Sequence, residues 1–453
     1  RDARPGLASP WPTWIDANLR SALEAGGITT PWTHQTTAAE LAWSGQSVVV
    51  SSGTASGKSL CYLLPALTAA ASGTGTTFYL APTKALAADQ LRSIGELGLE
   101  NVRAATYDGD TPMEERDWAR RHADVVLTNP DMLHHGLLPS HARWASTMRK
   151  LRFVVVDECH HYRGVFGSHV AQVLRRLRRV ARHYGAEPVF ILASATVSDP
   201  GSTALRLIGA PAIEVIEDGS PRGALDVALW EPPLTELNGE NGAPVRRAAP
   251  AEAATILADL VAEGVRTVAF VRSRRGAESV SLGARRALDE AAPELADRIA
   301  AYRAGYLAED RRVLERALHD GDLLGLASTN ALELGVDVSG LDAVLIAGWP
   351  GTHASLWQQA GRAGRAGRDA LAVLIARDDP LDTYLIHHPA AVVGRPVEAA
   401  VLDPDNPHGR RPHLAAAAAE IPLTDADAAG FGPAATGVLE ELVAGGLLRR
   451  RAN

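Results

Sequence analysis

Short apolar runs closed by turn residues alternate along this chain with longer segments of helical period. In the first half the clearest runs are Val48-Val49-Val50, Thr77-Phe78-Tyr79-Leu80, Val125-Val126-Leu127, Phe153-Val154-Val155-Val156 and Val189-Phe190-Ile191-Leu192. A second series comprises Thr267 to Val271, Leu324 to Ala327, Ala343 to Ile346 and Ala370 to Ile375. Runs of this length, without polar alternation and separated by helix-length segments, predict strands buried on both faces and joined by crossover helices. The fold class that follows is α/β: two tandem lobes, each a parallel sheet flanked by helices.

Turn-rich stretches divide the chain. The first lobe is expected to end near Gly219-Ser220-Pro221, because Leu225 to Trp230 reads as the first strand of the second. Glu231 to Pro250, rich in Pro, Gly and Asn, reads as a surface loop. Beyond Arg395 the pattern turns to Pro/Asp-rich turns and an Ala-rich helix. The expected order is an N-terminal segment (1–46), lobe one (47–220), lobe two (221–395) and a partial, mainly helical module (396–453), for which a winged helix is one candidate.

A length of 453 residues exceeds one ordinary core. No apolar run reaches the ~20 residues that span a bilayer, and no signal segment opens the chain, so a cytoplasmic place is expected. Two cysteines, Cys61 and Cys159, exclude a disulfide framework or a four-cysteine zinc site within these residues. The net charge of −8 requires that any nucleic-acid partner meet a locally basic groove on an acidic body. Of 45 basic residues only Lys58, Lys84 and Lys150 are lysine. The chain opens on Arg1 rather than Met and stops at Arg-Ala-Asn, which suggests a piece of a longer protein.

Lys58 lies in the run Ser52-Gly53-Thr54-Ala55-Ser56-Gly57-Lys58-Ser59, between an apolar strand and a helical segment. Small residues there let backbone N–H groups approach phosphates, and the helix N-terminus adds a favourable dipole. Thr54 to Gly57 would cradle the phosphates, Lys58 reach the β and γ groups, and Ser59 hold Mg2+. A strict phosphate loop needs Gly at position 52, so a plain Gly/Ser turn is the competing reading. Asp157-Glu158-Cys159-His160 follows the run Phe153 to Val156, which sets two carboxylates at the C-terminal edge of a strand, where open α/β sheets bind ligands. Asp157 suits Mg2+, Glu158 the attacking water, and His160 a link to its surroundings. An acidic loop, or a metal site using Cys159 and His160, is the alternative; neighbouring residues on a strand end rarely give ligand geometry. In the second lobe, Gln358-Gln359-Ala360-Gly361-Arg362-Ala363-Gly364-Arg365 sets arginines three apart, suited to γ-phosphate charge, although such a helix is usually a solvated face.

In this order, these three elements resemble motifs I, II and VI of the superfamily two helicases, and further segments resemble the motifs between them. Trp32-Thr33-His34-Gln35 is similar to the adenine-reading Q motif, with Gln35 the base contact. Pro82-Thr83-Lys84-Ala85-Leu86 is similar to motif Ia, and Thr128-Asn129-Pro130-Asp131 to motif Ib. Ser194-Ala195-Thr196 resembles motif III, Phe270-Val271-Arg272-Ser273-Arg274 motif IV, and Ser328 to Asp337 motif V, with Gly335 and Asp337 on the nucleotide side. The resemblance covers about residues 30 to 380. His161 to Val170, Tyr302 to Tyr306, Gly348 to Thr352 and Asp378 to Asp382 are similar to the mitomycin repair factor branch with its YprA-type bacterial members, and the Arg- and Ala-rich composition suggests the mycobacterial SftH type. That branch usually carries a four-cysteine zinc module, which these residues cannot form.

The resemblance implies a DNA-dependent ATPase and helicase, monomeric and nucleoid-associated, moving 3′ to 5′ on single-stranded DNA or tailed duplex in DNA repair. ATP, or dATP, with Mg2+ would sit between the lobes. Pro82, Thr83, Lys84, Thr128, Asn129, Arg272, Ser273, Arg303 and Thr329 are the candidate DNA contacts. An RNA helicase and a nucleotide-regulated binding module without turnover remain the alternatives. The basic run Arg175-Arg176, Arg178-Arg179, Arg182 reads as a solvated helix face. Trp349 and Trp357 read as packing residues rather than base stackers. The pairs His134-His135 and His387-His388 have no ligand partners at suitable spacing and read as surface or capping residues.

Overall fold

The computed structural model describes residues 1–53, 55–239, 242, 244–303, 305–332, 341–364 and 367–451. They form two compact units: Ala8–Ser52, Gly57–Gly219 and Ala399–Asn453 in the first, Arg1–Leu7, Gly53–Ser56 and Ser220–Glu398 in the second.

The first unit is built on a parallel seven-stranded sheet of β1 (Val48–Ser51), β2 (Thr76–Leu80), β3 (Ala104–Thr106), β4 (Val125–Thr128), β5 (Leu151–Val156), β6 (Val189–Ser194) and β7 (Ile213–Val215), in the order β3-β4-β2-β5-β6-β1-β7. Successive side chains leave opposite faces of a strand, so β5 sends Val154 and Val156 into one core and Phe153 and Val155 into another. The second of these cores takes the apolar sides of α1 (Thr33–Trp43) and α2 (Ser59–Ala71), with Ile94 of α3 (Lys84–Glu96). Val170, Val173, Leu174 and Leu177 of α4 (Gly164–His183) fill the first. Because the strands are parallel, the loops after β1, β5 and β6 share one edge of the sheet.

The second unit holds a parallel six-stranded sheet of β8 (Leu225–Trp230), β11 (Thr267–Phe270), β12 (Ile299–Tyr302), β13 (Gly325–Ser328), β14 (Ala343–Ala347) and β15 (Ala370–Ile375), ordered β12-β13-β11-β14-β15-β8. Helices α5 (Ala249–Ala262) and α6 (Arg274–Ala291) cover one face and α7 (His353–Ala360) the other. Three strands of the two parallel sheets have no counterpart in the sequence pattern. β3 and β7 are three-residue edge strands, and β12, also at an edge, is half alanine, which favours helix when read alone. The expected loop 231–250 instead carries an antiparallel pair, β9 (Leu234–Asn238) and β10 (Pro244–Arg246).

Residues from Ala399 onward join the first unit. Helices α8 (Pro407–Glu420), α9 (Asp425–Ala429) and α10 (Ala435–Ala444) bury Leu414, Ala417, Ala428, Phe431 and Leu442 among themselves. No strand occurs among the described residues of this segment, so the hairpin of a winged helix is missing from them.

This packing corrects the reading of the arginine run except at Arg182, which is exposed beside Glu187. Arg176 and Arg179 are buried, and both face the C-terminal helices. Arg176 pairs with Glu420, while Arg179 donates to the carbonyls of Ala417 (2.9 Å), Ile421 (2.8 Å) and Pro422 (2.7 Å). Arg175 and Arg178 donate to the carbonyls of Leu207 and Gly209, at the C-terminal end of the helix Pro200–Ile208. A fork of five donors suits such carbonyl clusters. His134 is likewise not freely solvated: it is partly buried, and its Nδ1 accepts from Arg176 at 2.7 Å.

Candidate active site

Three parallel strand ends set the frame. Ser51 of β1 is in register with Ser194 of β6, and the Ser51 hydroxyl donates to the Ala195 carbonyl (3.2 Å) while accepting from the Val197 N–H (3.2 Å). The loop after β1 is thereby tied to the Ser194-Ala195-Thr196 segment. Lys58 Nζ donates to the Ser52 carbonyl at 3.2 Å, which holds the ammonium over the loop entrance. Gly57 has φ of 75°, and a Cβ there would collide with Nε2 of Gln35, so only glycine fits. Ala55 of the same loop also has positive φ, at 60°.

Gln35 is fixed from both ends. Its Oε1 accepts from the Trp32 N–H (2.7 Å) and its Nε2 donates to the Gly57 carbonyl (2.9 Å). Trp32, Gln35, Gly57, Ser59 and Leu63 help line a cavity of about 900 Å3 beside the loop, large enough for a nucleoside.

Asp157, at the end of β5, is buried. Its Oδ2 accepts from the hydroxyls of Tyr79 (2.5 Å) and Tyr62 (3.0 Å), and its Oδ1 from the Glu158 N–H (2.9 Å). A carboxylate accepts at about four positions, so roughly one remains for a cation. Tyr62 lies one turn past Ser59 on α2, so its bond to Asp157 links the helix that opens with one expected Mg2+ ligand to the other. A hydroxyl and a single carboxylate are hard oxygen donors, which fits an ion that keeps several waters. Burial, and then the charge of Glu158, raise the Asp157 carboxyl to about 6.

Glu158 adopts a left-handed backbone, φ 47° and ψ 42°. For a side chain with a Cβ this conformation costs about 1–3 kcal/mol and clusters at functional sites. His160 Nδ1 accepts from the Ala195 N–H at 3.2 Å and lies 3.3 Å from Glu158 Oε2. Burial drives His160 well below its ordinary range, so the ring is neutral and the approach to Glu158 is no ion pair. His160 therefore bonds the loop after β5 to the loop after β6. Glu158, His160 and His161 lie close enough to share a metal ion, but Nδ1 of His160 is already engaged. Burial pushes the Cys159 thiol up to about 12, which keeps it protonated and poor as a ligand.

In the second unit Gln358 and Arg362 are buried, Gln358 on α7 and Arg362 just past its end. Thr54, Gly335, Asp337 and Arg365 lie outside the described residues.

The nucleic-acid candidates divide. Pro82 precedes Thr83, which caps α3, and Lys84 is half exposed beside Asp110 at 2.6 Å. Arg272 is exposed, and Ser273 caps α6 by accepting from the Gly276 N–H. Asn129 caps the turn after β4 through the Met132 N–H (2.8 Å). Thr128 departs from expectation: its buried hydroxyl donates to the Tyr107 carbonyl (2.6 Å), so it braces the loop instead of presenting an outward donor. Thr329 is buried and accepts from the Ala331 N–H, and Arg303 is held by Glu278 at 2.7 Å over the Tyr306 ring. Trp349 packs edge-on to His353, and Arg1 covers Trp357. Nothing in the sequence pattern assigns Tyr62, Tyr79 or Gln90 to the site. Their only signal is a phenol three residues past Ser59 and another inside an apolar strand.

Residues 32–203 match the DEAD/DEAH box helicase family, and residues 252–367 match the helicase conserved C-terminal domain. The ATP-dependent helicase YprA of Bacillus subtilis, itself uncharacterised, is 41% identical over 430 residues, 93% of this chain and 56% of YprA. A crystal structure of the helicase MrfA bound to DNA superposes with a TM-score of 0.93 at 39% identity, covering 100% of this chain and 60% of that one. The chain belongs to the mitomycin repair factor and YprA-type branch of the superfamily two helicases. MrfA bound to DNA and AMPPNP is similar too, with a TM-score of 0.92, 39% identity and coverage of 100% and 63%. The chain thus spans 56–63% of these helicases. The two units correspond in fold to the family's tandem RecA-like domains.

Proposed function

We propose that this chain is the motor portion of an ATP-dependent DNA helicase that moves 3′ to 5′ along single-stranded DNA and serves DNA repair. The observation that carries the reading is the bond by which Tyr62, one turn into the helix that Ser59 opens, reaches the buried Asp157, with Glu158 next to it in a strained backbone. The DNA-bound and AMPPNP-bound forms of MrfA support the choice of DNA and of a nucleotide. Ser59 and Asp157 would hold Mg2+, which when bound neutralises charge on the β and γ phosphate oxygens. Lys58 binds those oxygens, Gln35 reads the base, and Glu158 orients the attacking water and takes its proton. Arg362 and Arg365 supply positive charge as the γ-phosphate leaves. Lys84 and Arg272 track the DNA backbone. On this reading the protein works on nucleoid DNA in the bacterial cytoplasm, as a monomer.

The test is ATP hydrolysis with and without single-stranded DNA, together with unwinding of 3′-tailed and 5′-tailed duplexes, with Glu158→Gln as control. Stimulated hydrolysis and unwinding only from the 3′ tail are expected. Equal unwinding from both tails would remove the polarity, and preference for a matched RNA duplex would remove the choice of DNA.

A further inference from the structure

Behind the candidate metal ligands lies a hydrogen-bond arrangement in which one phenol faces two acceptors. The Tyr62 hydroxyl, on α2, is within bonding distance of two acceptors: Asp157 Oδ2 at 3.0 Å and Gln90 Oε1 of α3 at 3.1 Å. A phenol has one proton, so it donates to one of them at a time. Tyr79 gives its own proton to Asp157 at 2.5 Å. Nε2 of Gln90 is buried without a hydrogen-bond partner. Turning the Gln90 amide over would place that N–H2 against the Tyr62 oxygen, and Tyr62 could then donate to Asp157 while accepting from Gln90. Two arrangements follow. In one the chain runs Gln90 to Tyr62 to Asp157; in the other Tyr62 donates to Gln90 and releases a lone pair on Asp157.

We propose that Tyr62 is a positioning residue whose hydroxyl switches between Asp157 and Gln90, and so couples the nucleotide-binding carboxylate to α3, the helix that begins at Thr83 and Lys84. The inference rests on the helicase reading above. An ionised carboxylate is the stronger acceptor, so Asp157 holds the Tyr62 proton while its charge is unshared. A cation drawing on that charge weakens the hold, and the Tyr62 O–H turns to donate to Gln90, whose amide turns over to present its oxygen. Tyr62, Tyr79 and Asp157 are buried, so no bulk water competes for these bonds. Gln90 of the α3 helix, which Thr83 caps, thus donates to Tyr62 in one state and accepts from it in the other.

The test measures affinity for a fluorescent single-stranded oligonucleotide with and without Mg2+–AMPPNP, and takes the ratio. Wild type is expected to show a ratio of at least about fivefold. Tyr62→Phe keeps the ring and removes the hydroxyl, and should bring the ratio to within about twofold of one; Gln90→Leu should do the same. The double variant should lose no more than either single one, as members of one chain do. Tyr79→Phe removes a bond to Asp157 but none to Gln90, so at saturating Mg2+–AMPPNP it should leave the ratio. A wild-type ratio in Tyr62→Phe or Gln90→Leu, or additive losses in the double variant, would overturn the proposal. A wild-type chain that binds no nucleotide would instead overturn the helicase reading beneath it.

Discussion

Arg176 and Glu420, 244 residues apart, form a buried two-point ion pair that fastens α8 to α4, the helix following the Asp157-Glu158 loop. Both side chains are at most 3% exposed. Removing one partner strands the other charge, at a cost of about 3–5 kcal/mol. Arg176→Met should therefore destabilise the first unit by that order in denaturant unfolding. Arg176→Met with Glu420→Leu should recover most of it, because no unpaired charge is left. Equal losses in the single and double variants would show that the charge pairing is not what matters.

The same arginine sets the protonation of two histidines. Arg176 Nη1 donates to Nδ1 of His134 and of His413, so both rings must present lone pairs and be neutral. Nε2 of His413 then carries the proton and donates to His169 Nδ1 at 2.8 Å. Burial and then the Arg176 charge lower His134 to about 4 and His413 to about 2. The unfolded chain binds protons first, so stability is full above the ordinary histidine value near 6.5 and falls as pH drops below it. Thermal midpoints should decline from pH 7 to pH 5, and His413→Asn should flatten that decline. A midpoint constant over this range would refute the assignment.

How much of this was legible follows from where the partners lie in the chain. The Asp157-Glu158 loop could be read because its chemistry and its strand are contiguous, and the same holds for Gly57-Lys58-Ser59. The Asp157 hydrogen bonds could not, since Tyr62 and Tyr79 come from elements 95 and 78 residues away. Arg176 and Arg179 were misread for the same reason. A charge run shows its own periodicity but not the Glu420 and Asp427 that meet it. The strands missed in the two parallel sheets were edge strands, where three residues or two alanines leave too little apolar signal, and the β9–β10 pair was hidden by its Pro, Gly and Asn content.

Glu158 separates catalysis from binding. Glu158→Gln keeps the shape and the left-handed backbone but removes the base, so hydrolysis should fall about 10²- to 10⁴-fold. Nucleotide affinity, read with a fluorescent ATP analogue, should change little, because Lys58 and the loop are intact. A parallel loss of affinity would mean that Glu158 shapes the site instead of serving the reaction.

Gly57 tests the base side of the site. An alanine there must adopt a positive φ and push against Nε2 of Gln35, which donates to the carbonyl of the same glycine. The side chain of Gln35 has no easy retreat, because Oε1 is held by the Trp32 N–H at the start of α1. Gly57→Ala should therefore lower nucleotide affinity through displaced Gln35 as well as through the strained loop, the latter worth about 1–2 kcal/mol. Gln35→Ala removes the collision but not the backbone strain. In the Gly57→Ala, Gln35→Ala pair the two losses should be less than additive by nucleotide titration, since the first substitution has already cost Gln35 its place. Strict additivity would mean that Gln35 and the phosphate loop act independently, and that the hydrogen bond between them does not position the base contact.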